Sequence, residues 1–402
     1  MTVTAHAAPV VLTMTGDPIE DGAVLVEGGT VLAVGRRCDF TGERIRDWPG
    51  VITPGLVNAH AHLQYGAPFA HLATSGLPFA DWILQLAVIR RDLTETDWQV
   101  SARGSAHQLL KSGTTAVADL TARLEPIVVA TSLGLQGISY AELAGVDAVG
   151  WPEGSARLEA LLSAAGRARG ISPHALYTLG TDVFRDMCDL ARGRGLRLHP
   201  HLAETADEAE FVLAGTGRFA EINTRLGLGV DGATGVSPVQ RCLDLGGLGP
   251  DVHVAHGVHV DAADRALLRE AGTAVALCTR SNTILGAGEA PVAAYLAEGS
   301  PVALGTDSLA STPDLDLWAE ARATRDLARR QGLDGCEEQL VRAATVGGAA
   351  AMGLPLGTLE AGGRADLAAF AVPAGDPYAA LVEHGAGSCV ATVLGGRLVH
   401  RR

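Results

Sequence analysis

Residues 53–62 read TPGLVNAHAH and combine an apolar strand with two histidines at its end. Leu56 and Val57 begin the apolar run, and His60 and His62 follow with one residue between them. Because side chains alternate along a strand, both imidazoles lie on one face and point the same way. A strand that ends in such side chains is typical of a parallel barrel, where the carboxyl ends of the strands assemble the active site.

The same alternation of a short β-rich run and a longer helical run recurs along the chain. Eight strands are predicted, at residues 57–62, 115–119, 136–142, 171–178, 197–201, 251–256, 274–278 and 302–307. Helices are predicted at residues 79–91, 95–112, 155–169, 182–195, 262–271, 291–298, 315–331 and 337–352. Successive units of this kind predict an α/β fold, a (β/α)₈ TIM-like barrel, which needs about 250 residues.

Both ends of the chain show a different, strand-like pattern. Residues 23–35 alternate apolar and polar positions around Gly28-Gly29, as expected of a β-hairpin. Residues 367–372 and 390–399 are strand-like too, the second run being broken at Gly395-Gly396. We therefore predict a composite β-sandwich domain formed by residues 1–53 and 360–402, with the barrel at residues 54–359.

Composition limits the kind of partner and compartment. The 402 residues include 31 basic and 45 acidic ones, a formal net charge of −14, which argues against nucleic acid and favours a small molecule. No apolar run approaches the roughly 20 residues of a membrane span. The first 14 residues lack a basic start and a long apolar stretch, so we expect no secretory signal and a cytoplasmic location. Six scattered cysteines without a CxxC pair favour neither disulfides nor a cysteine-based zinc site.

The fifth predicted strand supplies a third imidazole. Residues 198–204 read LHPHLAE, and we assign His201 as a metal ligand and Glu204, at the strand exit, as a proton carrier. His199 lies on the same face one layer deeper and is the rival ligand. The preference for His201 follows from its position nearer the strand end.

Two further strands complete the predicted site. The sixth ends at His256 and the eighth at Asp307, again at the edge where a barrel builds its active site. Three imidazoles and a carboxylate can hold one divalent ion and leave a position for water, whose pKa a metal lowers to about 7. We predict zinc, with iron as the alternative because imidazole accepts both. Glu204 would protonate a ring nitrogen, Asp307 would take the water proton, and His256 would orient the nucleophile.

The only lysine of the chain, Lys111, excludes another type of centre. A carboxylated lysine on the fourth strand bridges two metals in one class of barrel hydrolase, but that strand reads ISPHALYT, and Lys111 lies at the end of a helix before the second strand. The sequence therefore predicts a mononuclear site. We assign His174, on the fourth strand, to the substrate.

These segments resemble the amidohydrolase superfamily, in its cytosine/adenosine-deaminase-like branch. The resemblance covers nearly the whole chain through DGAVLVEGGTVLAVG, PGLVNAHAH, KSGTTAVAD, SPHALYT, HPHLAE, VAHGVH, LGTDSLAS and GTLEAGGRADL. It implies one zinc or iron ion held by His60, His62, His201 and Asp307, with Glu204 and His256 in the proton-transfer roles. SPHALYT is similar to the substrate-histidine segment of adenosylhomocysteine and methylthioadenosine deaminases.

A closer resemblance is to aminodeoxyfutalosine deaminases of menaquinone biosynthesis, through HAHLQYG, FADWI, CTRSN and GTDSLAS. These segments carry Gln64, Trp82 and Ser308, which we predict to contact the substrate. The benzoate of aminodeoxyfutalosine should meet an arginine, and Arg280 is the preferred candidate. Arg90 and Arg91 are alternatives, which on the other interpretation belong to a solvated helix face. The stretch after Trp82, QLAVIRR, lacks the glutamate that nucleoside-binding relatives use for the ribose diol.

The leading hypothesis is hydrolytic deamination of an adenine-type nucleoside, with conversion of aminodeoxyfutalosine to futalosine and ammonia favoured. Adenosine, methylthioadenosine and adenosylhomocysteine are the alternatives within that class. A triazine-type amino- or chlorohydrolase is a second hypothesis, and a metal-free binding relative is a third, which the complete ligand set disfavours. A homodimer is the expected assembly if the chain associates, because twofold closure is the commonest symmetry.

Overall fold

The computed structural model describes residues 3–402, and its strands form three sheets. The strands are β1 (Val3–Val11), β2 (Ile19–Glu27), β3 (Thr30–Arg36), β4 (Arg44–Asp47), β5 (Val51–Pro54), β6 (Leu56–Ala61), β7 (Thr114–Thr121), β8 (Gln136–Leu143), β9 (Ala168–Pro173), β10 (Arg197–Leu198), β11 (His201–Leu202), β12 (His253–His256), β13 (Ala274–Leu277), β14 (Val302–Leu304), β15 (Leu367–Phe370), β16 (Cys389–Leu394) and β17 (Arg397–Arg401).

Helices connect most of the strands of the central region. They are α1 (Phe79–Asp92), α2 (Glu95–Lys111), α3 (Leu124–Leu133), α4 (Trp151–Leu162), α5 (Thr181–Gly193), α6 (Ala206–Ala214), α7 (Gly217–Leu226), α8 (Pro238–Asp244), α9 (Ala262–Glu270), α10 (Thr279–Ile284), α11 (Val292–Ala297), α12 (Leu317–Arg330), α13 (Glu337–Arg342), α14 (Gly348–Ala351) and α15 (Pro377–His384). Two 3₁₀ segments, Arg37–Asp39 and Ala67–Thr74, and a π-helical turn, Ala343–Gly347, complete the set.

The two parallel sheets together form the barrel. One has the order β10-β9-β8-β7-β6 and the other the order β11-β12-β13-β14. Single parallel bridges, Ala61 to Asp307 and Leu198 to Val252, join the sheets at both seams. Strands β10 and β11 are the two halves of the fifth barrel strand, interrupted at Pro200, which has no N–H to donate to a ladder. The predicted (β/α)₈ fold class is confirmed.

Several predicted element boundaries are wrong. The fourth barrel strand ends at Pro173 rather than residue 178, so His174 lies at the strand exit. The helix predicted at residues 155–169 runs over Trp151–Leu162 instead, and Gly166 beyond it has φ +119°, outside the helical region. Six helices were not predicted, namely α3, α6, α7, α8, α10 and α15.

The third sheet combines strands from both ends of the chain. Its order is β17-β16-β15-β5-β1-β2-β3, with β4 paired to β1. The β2–β3 hairpin turns at Gly28, whose φ of +58° suits glycine. Val24 near the amino end and Val393 near the carboxyl end belong to one buried cluster. The exact domain limits, residues 1–53 with 360–402 and residues 54–359, stay a prediction.

Within residues 3–402, no helix combines the length and the apolar character that crossing a membrane would need. All six cysteines are free thiols, and all but Cys38 are buried.

Candidate active site

The ends of three barrel strands bring four predicted ligands together. His60 lies on β6 and His62 directly after it, His201 lies on β11, and Asp307 lies in the loop after β14. The Nε2 atoms of His62 and His201 are 3.2 Å apart, and Oδ1 of Asp307 lies 3.9 Å from Nε2 of His60 and 3.8 Å from Nε2 of His62. Ligand atoms around a tetrahedral zinc ion are about 3.3 to 3.6 Å apart. The ligand atoms of His60, His62 and Asp307 lie within 4.8 Å of one another and could hold a divalent ion, and His201 lies beside His62 as the candidate fourth ligand.

Hydrogen bonds fix which nitrogen of His60 faces this cluster. Nδ1 of His199 lies 2.7 Å from the carbonyl oxygen of His253, to which it donates, so Nε2 of His199 is an acceptor. Nδ1 of His60 donates to that Nε2 at 2.9 Å. The remaining Nε2 of His60 is buried and has no hydrogen-bond partner, as a metal-binding nitrogen requires. The structure thus places His199 behind His60 and His201 at the cavity.

The electrostatics of the histidine cluster favour neutral rings. Burial, followed by the neighbouring histidines, holds the pKa of His60 and His201 well below the usual value. Nδ1 of His201 donates to the carbonyl oxygen of His174 at 3.2 Å, so Nε2 of His201 carries no proton and has a free lone pair. Neutral imidazole is the form that binds a metal.

Asp307 is held in one orientation by two hydroxyl groups. Its Oδ2 accepts hydrogen bonds from Oγ of Ser281 and Oγ of Ser311, both at 2.8 Å, while Oδ1 faces the histidines. The backbone of Asp307 is left-handed, with φ +57°, as is that of Ala203 (+52°) and His256 (+75°). Such conformations are costly for residues other than glycine and cluster at functional sites.

Glu204 is placed by a second glutamate, Glu208, which sequence reasoning missed. The carboxylate of Glu208 accepts hydrogen bonds from the N–H groups of Ala203 (3.1 Å) and Glu204 (2.7 Å). Burial, reinforced by the charges of Asp307 and Glu208, raises the pKa of Glu204 well above the usual value. Glu204 therefore retains a proton at pH values where an exposed glutamate has lost it.

His256 lies beside Glu204. Its Nε2 is 3.4 Å from Oε1 of Glu204, and its Nδ1 is 2.8 Å from Oδ1 of Asn282, to which it donates. Burial lowers the pKa of His256 to about 4. The neutral ring thus has an unprotonated Nε2 beside the carboxyl group of Glu204, and this nitrogen has no hydrogen-bond partner.

These groups open into a cavity of about 250 Å³. Its volume is close to the lower end for small-molecule sites. The predicted substrate residues His174, Trp82 and Ser308 line it, together with aromatic side chains that include Phe79 and Phe219. The indole N–H of Trp82 donates to the carbonyl oxygen of Ala310 at 3.1 Å, so the ring presents its apolar surface.

Two predicted substrate residues lie elsewhere. Arg280 is in the first turn of α10. Its guanidinium donates to Asp314 at 2.9 Å, and its backbone N–H donates to the buried carboxylate of Glu320. The side chain of Arg280 lines a different cavity. Arg280 therefore does not line the cavity that contains the histidines, and its contact with the substrate stays a prediction. Gln64 accepts from the N–H of Ala122 at 3.3 Å and does not line the cavity.

Glu142 and Arg90 also line the cavity; Glu142 was not predicted, whereas Arg90 was an alternative to Arg280. Glu142 is buried near the end of β8, with Oε2 3.9 Å from Nδ1 of His62 and Oε1 without a hydrogen-bond partner. Its location at the end of a barrel strand was the available signal. For Arg90, the sequence left two roles open, a contact with the substrate and a position on a solvated helix face.

Known proteins resemble this chain along nearly all its length. A 5-methylthioadenosine/S-adenosylhomocysteine deaminase of Natronomonas pharaonis is 33% identical over 97% of this chain and 90% of its own length. One of Moorella thermoacetica is 34% identical over 86% and 80%. These relatives agree with the deaminase-like branch predicted from the motifs.

Solved structures share the fold. An adenosine deaminase of Xanthomonas campestris with bound zinc superposes with a TM-score of 0.81 at 23% identity, covering 99% of this chain and 93% of that one. Helicobacter pylori aminofutalosine deaminase gives a TM-score of 0.84 at 20% identity, covering 99% and 100%. Residues 51–399, which include every ligand of the cluster, match the amidohydrolase family, and this chain belongs to it.

Proposed function

We propose that this protein is a metal-dependent deaminase of adenine-type nucleosides. The observation that carries the proposal is the buried carboxyl group of Glu204, which lies 3.4 Å from Nε2 of His256 in the same cavity as the four candidate ligand side chains. A carboxylic acid in this place is needed when ammonia leaves a purine ring. It is less needed for displacement of chloride from a triazine, so that hypothesis has weaker support.

Each side chain has a separate role in the proposed reaction. A divalent ion, with zinc proposed and iron the alternative, would be held by His60, His62, His201 and Asp307, and it would supply Lewis-acid activation of water at neutral pH. The acid of Glu204 donates its proton to the ring nitrogen beside the carbon under attack. That carbon becomes electrophilic as a result.

Two neighbouring groups act on the attacking water. The Oδ1 atom of Asp307 accepts one proton from the water and delivers it to the amine, which leaves as ammonia. The second water proton passes to the carboxylate of Glu204 as the carbonyl group forms, which restores the acid. Nε2 of His256 accepts a hydrogen bond from the water and orients it. His174, on the cavity wall, is proposed to bond the substrate.

Within this class we propose aminodeoxyfutalosine as substrate, converted to futalosine and ammonia in menaquinone biosynthesis. The segments that carry this resemblance supply Phe79, Trp82 and Ser308 to the cavity wall. Methylthioadenosine and adenosylhomocysteine are the second candidates, because the relatives named above are deaminases of these two compounds. A cytoplasmic location and a homodimer stay predictions.

A substrate comparison tests the proposal. Protein expressed with zinc or iron is assayed with aminodeoxyfutalosine, methylthioadenosine, adenosylhomocysteine and adenosine, following the adenine absorbance and released ammonia. We expect aminodeoxyfutalosine to have the highest kcat/KM and chelated protein to be inactive. No ammonia from any of the four would contradict the deaminase function, whereas a preference for methylthioadenosine would contradict only the choice of substrate.

A further inference from the structure

Helix α1 presents one side to the active-site cavity. Seven residues of α1 line the cavity, namely Phe79, Trp82, Ile83, Leu84, Leu86, Ala87 and Arg90, and apart from Leu84 they recur at the three- or four-residue spacing of a single helix face. All of them are apolar or aromatic except the last. Arg90 therefore ends an apolar stripe that runs along the cavity wall.

Arg90 is the only arginine or lysine among the cavity-lining residues of the described chain, 3–402. The carboxylates of the cavity lie close to the histidines instead: Glu142 is 3.9 Å from His62, Glu204 is 3.4 Å from His256, and Asp307 is 3.8 Å from His62. Within residues 3–402, Arg90 takes part in no ion pair and no side-chain hydrogen bond. The half-buried guanidinium thus has a positive charge without a protein partner.

The position of Arg90 along α1 sets its distance from Trp82. The bond from Trp82 to Ala310 anchors α1 near the loop that carries Asp307. Arg90 is eight residues further along the helix, which corresponds to about 12 Å along the axis. An adenine ring held at the histidines would direct a long substituent along the apolar stripe toward Arg90.

The charge of Arg90 also reaches the cavity interior. Burial is the main cause that lowers the pKa of His174, and the positive charge of Arg90 acts in the same direction. Arg90 likewise opposes the rise that burial gives to the pKa of Tyr65, another residue of the cavity wall. The guanidinium is therefore electrostatically coupled to the substrate cavity.

We propose that Arg90 binds the anionic end of the substrate, so that the enzyme selects adenine nucleosides whose substituent carries a carboxylate beyond an apolar segment. Guanidinium and carboxylate match in charge and in planar geometry. This inference rests on the proposed deaminase function and names the residue that discriminates within it. The competing role for an arginine in the last turn of a helix is to offset the helix dipole, which affects stability but not substrate choice.

Matched substrates and variants separate these roles. The carboxylate substrate is aminodeoxyfutalosine, and its neutral counterparts are its carboxamide and methylthioadenosine. We expect Arg90→Ala to lower kcat/KM for the carboxylate about 10- to 100-fold, the usual size of a charge-assisted hydrogen bond, and to change both neutral substrates by less than about twofold. Arg90→Lys should recover part of the loss because it keeps the charge without the planar fork.

Arg91→Ala is the control, since Arg91 is exposed and lies off the cavity. It should leave all three substrates unchanged. If Arg90→Ala is unstable, Arg90→Gln, which keeps most of the side-chain volume, replaces it. Equal losses for charged and neutral substrates, or no loss at all, would overturn the inference while the deaminase function stands. A wild-type protein that deaminates none of these three, and neither adenosylhomocysteine nor adenosine, would refute the proposed function itself.

Discussion

At the scale of single residues, Glu204 carries the proton on which the proposed chemistry depends. Glu204→Gln keeps the shape of the side chain but cannot donate a carboxylic proton, so we expect kcat/KM to fall about 10²- to 10⁴-fold. Metal content should stay unchanged because Glu204 is not among the ligands. Steady-state kinetics with metal analysis checks both. A variant that keeps a tenth of the wild-type rate would contradict the role of Glu204.

The raised pKa of Glu204 also gives a pH dependence. The donating form is the protonated one, which is complete below the raised pKa and is lost as pH rises through it. Wild-type kcat should therefore decline on the alkaline side. The residual activity of Glu204→Gln should not show this alkaline decline. If the decline persists in the variant, it is caused by the titration of another group.

Ser281 and Ser311 fix Asp307 through the oxygen that faces away from the histidines. Removing both hydroxyls with Ser281→Ala/Ser311→Ala should weaken metal affinity about 10- to 100-fold, as is usual for groups that orient a ligand. Competition against a zinc chelator measures the change. Ser132→Ala, an exposed serine on α3, is the control and should have wild-type affinity. Unchanged affinity in the double variant would show that Asp307 needs no support.

At the scale of elements, the turn from β11 into α6 depends on Glu208. Glu208→Ala leaves the buried N–H groups of Ala203 and Glu204 without acceptors, which should cost about 2 to 5 kcal/mol of unfolding free energy. It should also lower kcat, because Glu204 loses its fixed position. Denaturant unfolding and kinetics measure the two effects. Asp207→Ala, one position earlier and partly exposed, should cost less than about 1 kcal/mol, and equal costs would contradict this account.

Residues at strand ends were predictable from the sequence because the period of a strand and the polarity of a parallel barrel fix their direction. His60, His62, His201 and Asp307 all followed that rule. Arg280 did not, because β13 passes directly into the short helix α10, whose first turn directs Arg280 to Asp314. Arg90 was ambiguous, since a helical pattern alone does not show which face meets a cavity.

The short helices α6, α7 and α8 were missed for a related reason. They lie between β11 and β12, where Gly215 and Gly227 end two helices in the left-handed conformation and break the hydrophobic periodicity into pieces of 7 to 10 residues. These pieces matter to the site because Phe219 and Ile222 of α7 line the cavity. Tertiary packing, rather than local pattern, places them.

At the scale of the whole molecule, a bound ion would join the two halves of the barrel. His60 and His62 belong to the sheet that contains β6, whereas His201 and Asp307 belong to the side that contains β11 and β14. Metal removal should therefore lower the melting temperature. At a free metal concentration of 1,000 times Kd, the ion contributes about 4.1 kcal/mol. Calorimetry of chelated and zinc-restored protein tests this, and coincident transitions would contradict it.

The central claim is that four side chains from distant parts of the chain share one ion. Anomalous diffraction at the zinc or iron edge, from crystals grown with that metal, tests it most directly. We predict a single strong peak about 2.0 to 2.2 Å from Nε2 of His60, His62 and His201 and from Oδ1 of Asp307. A peak at His199, or none at all at full metal supply, would contradict the account.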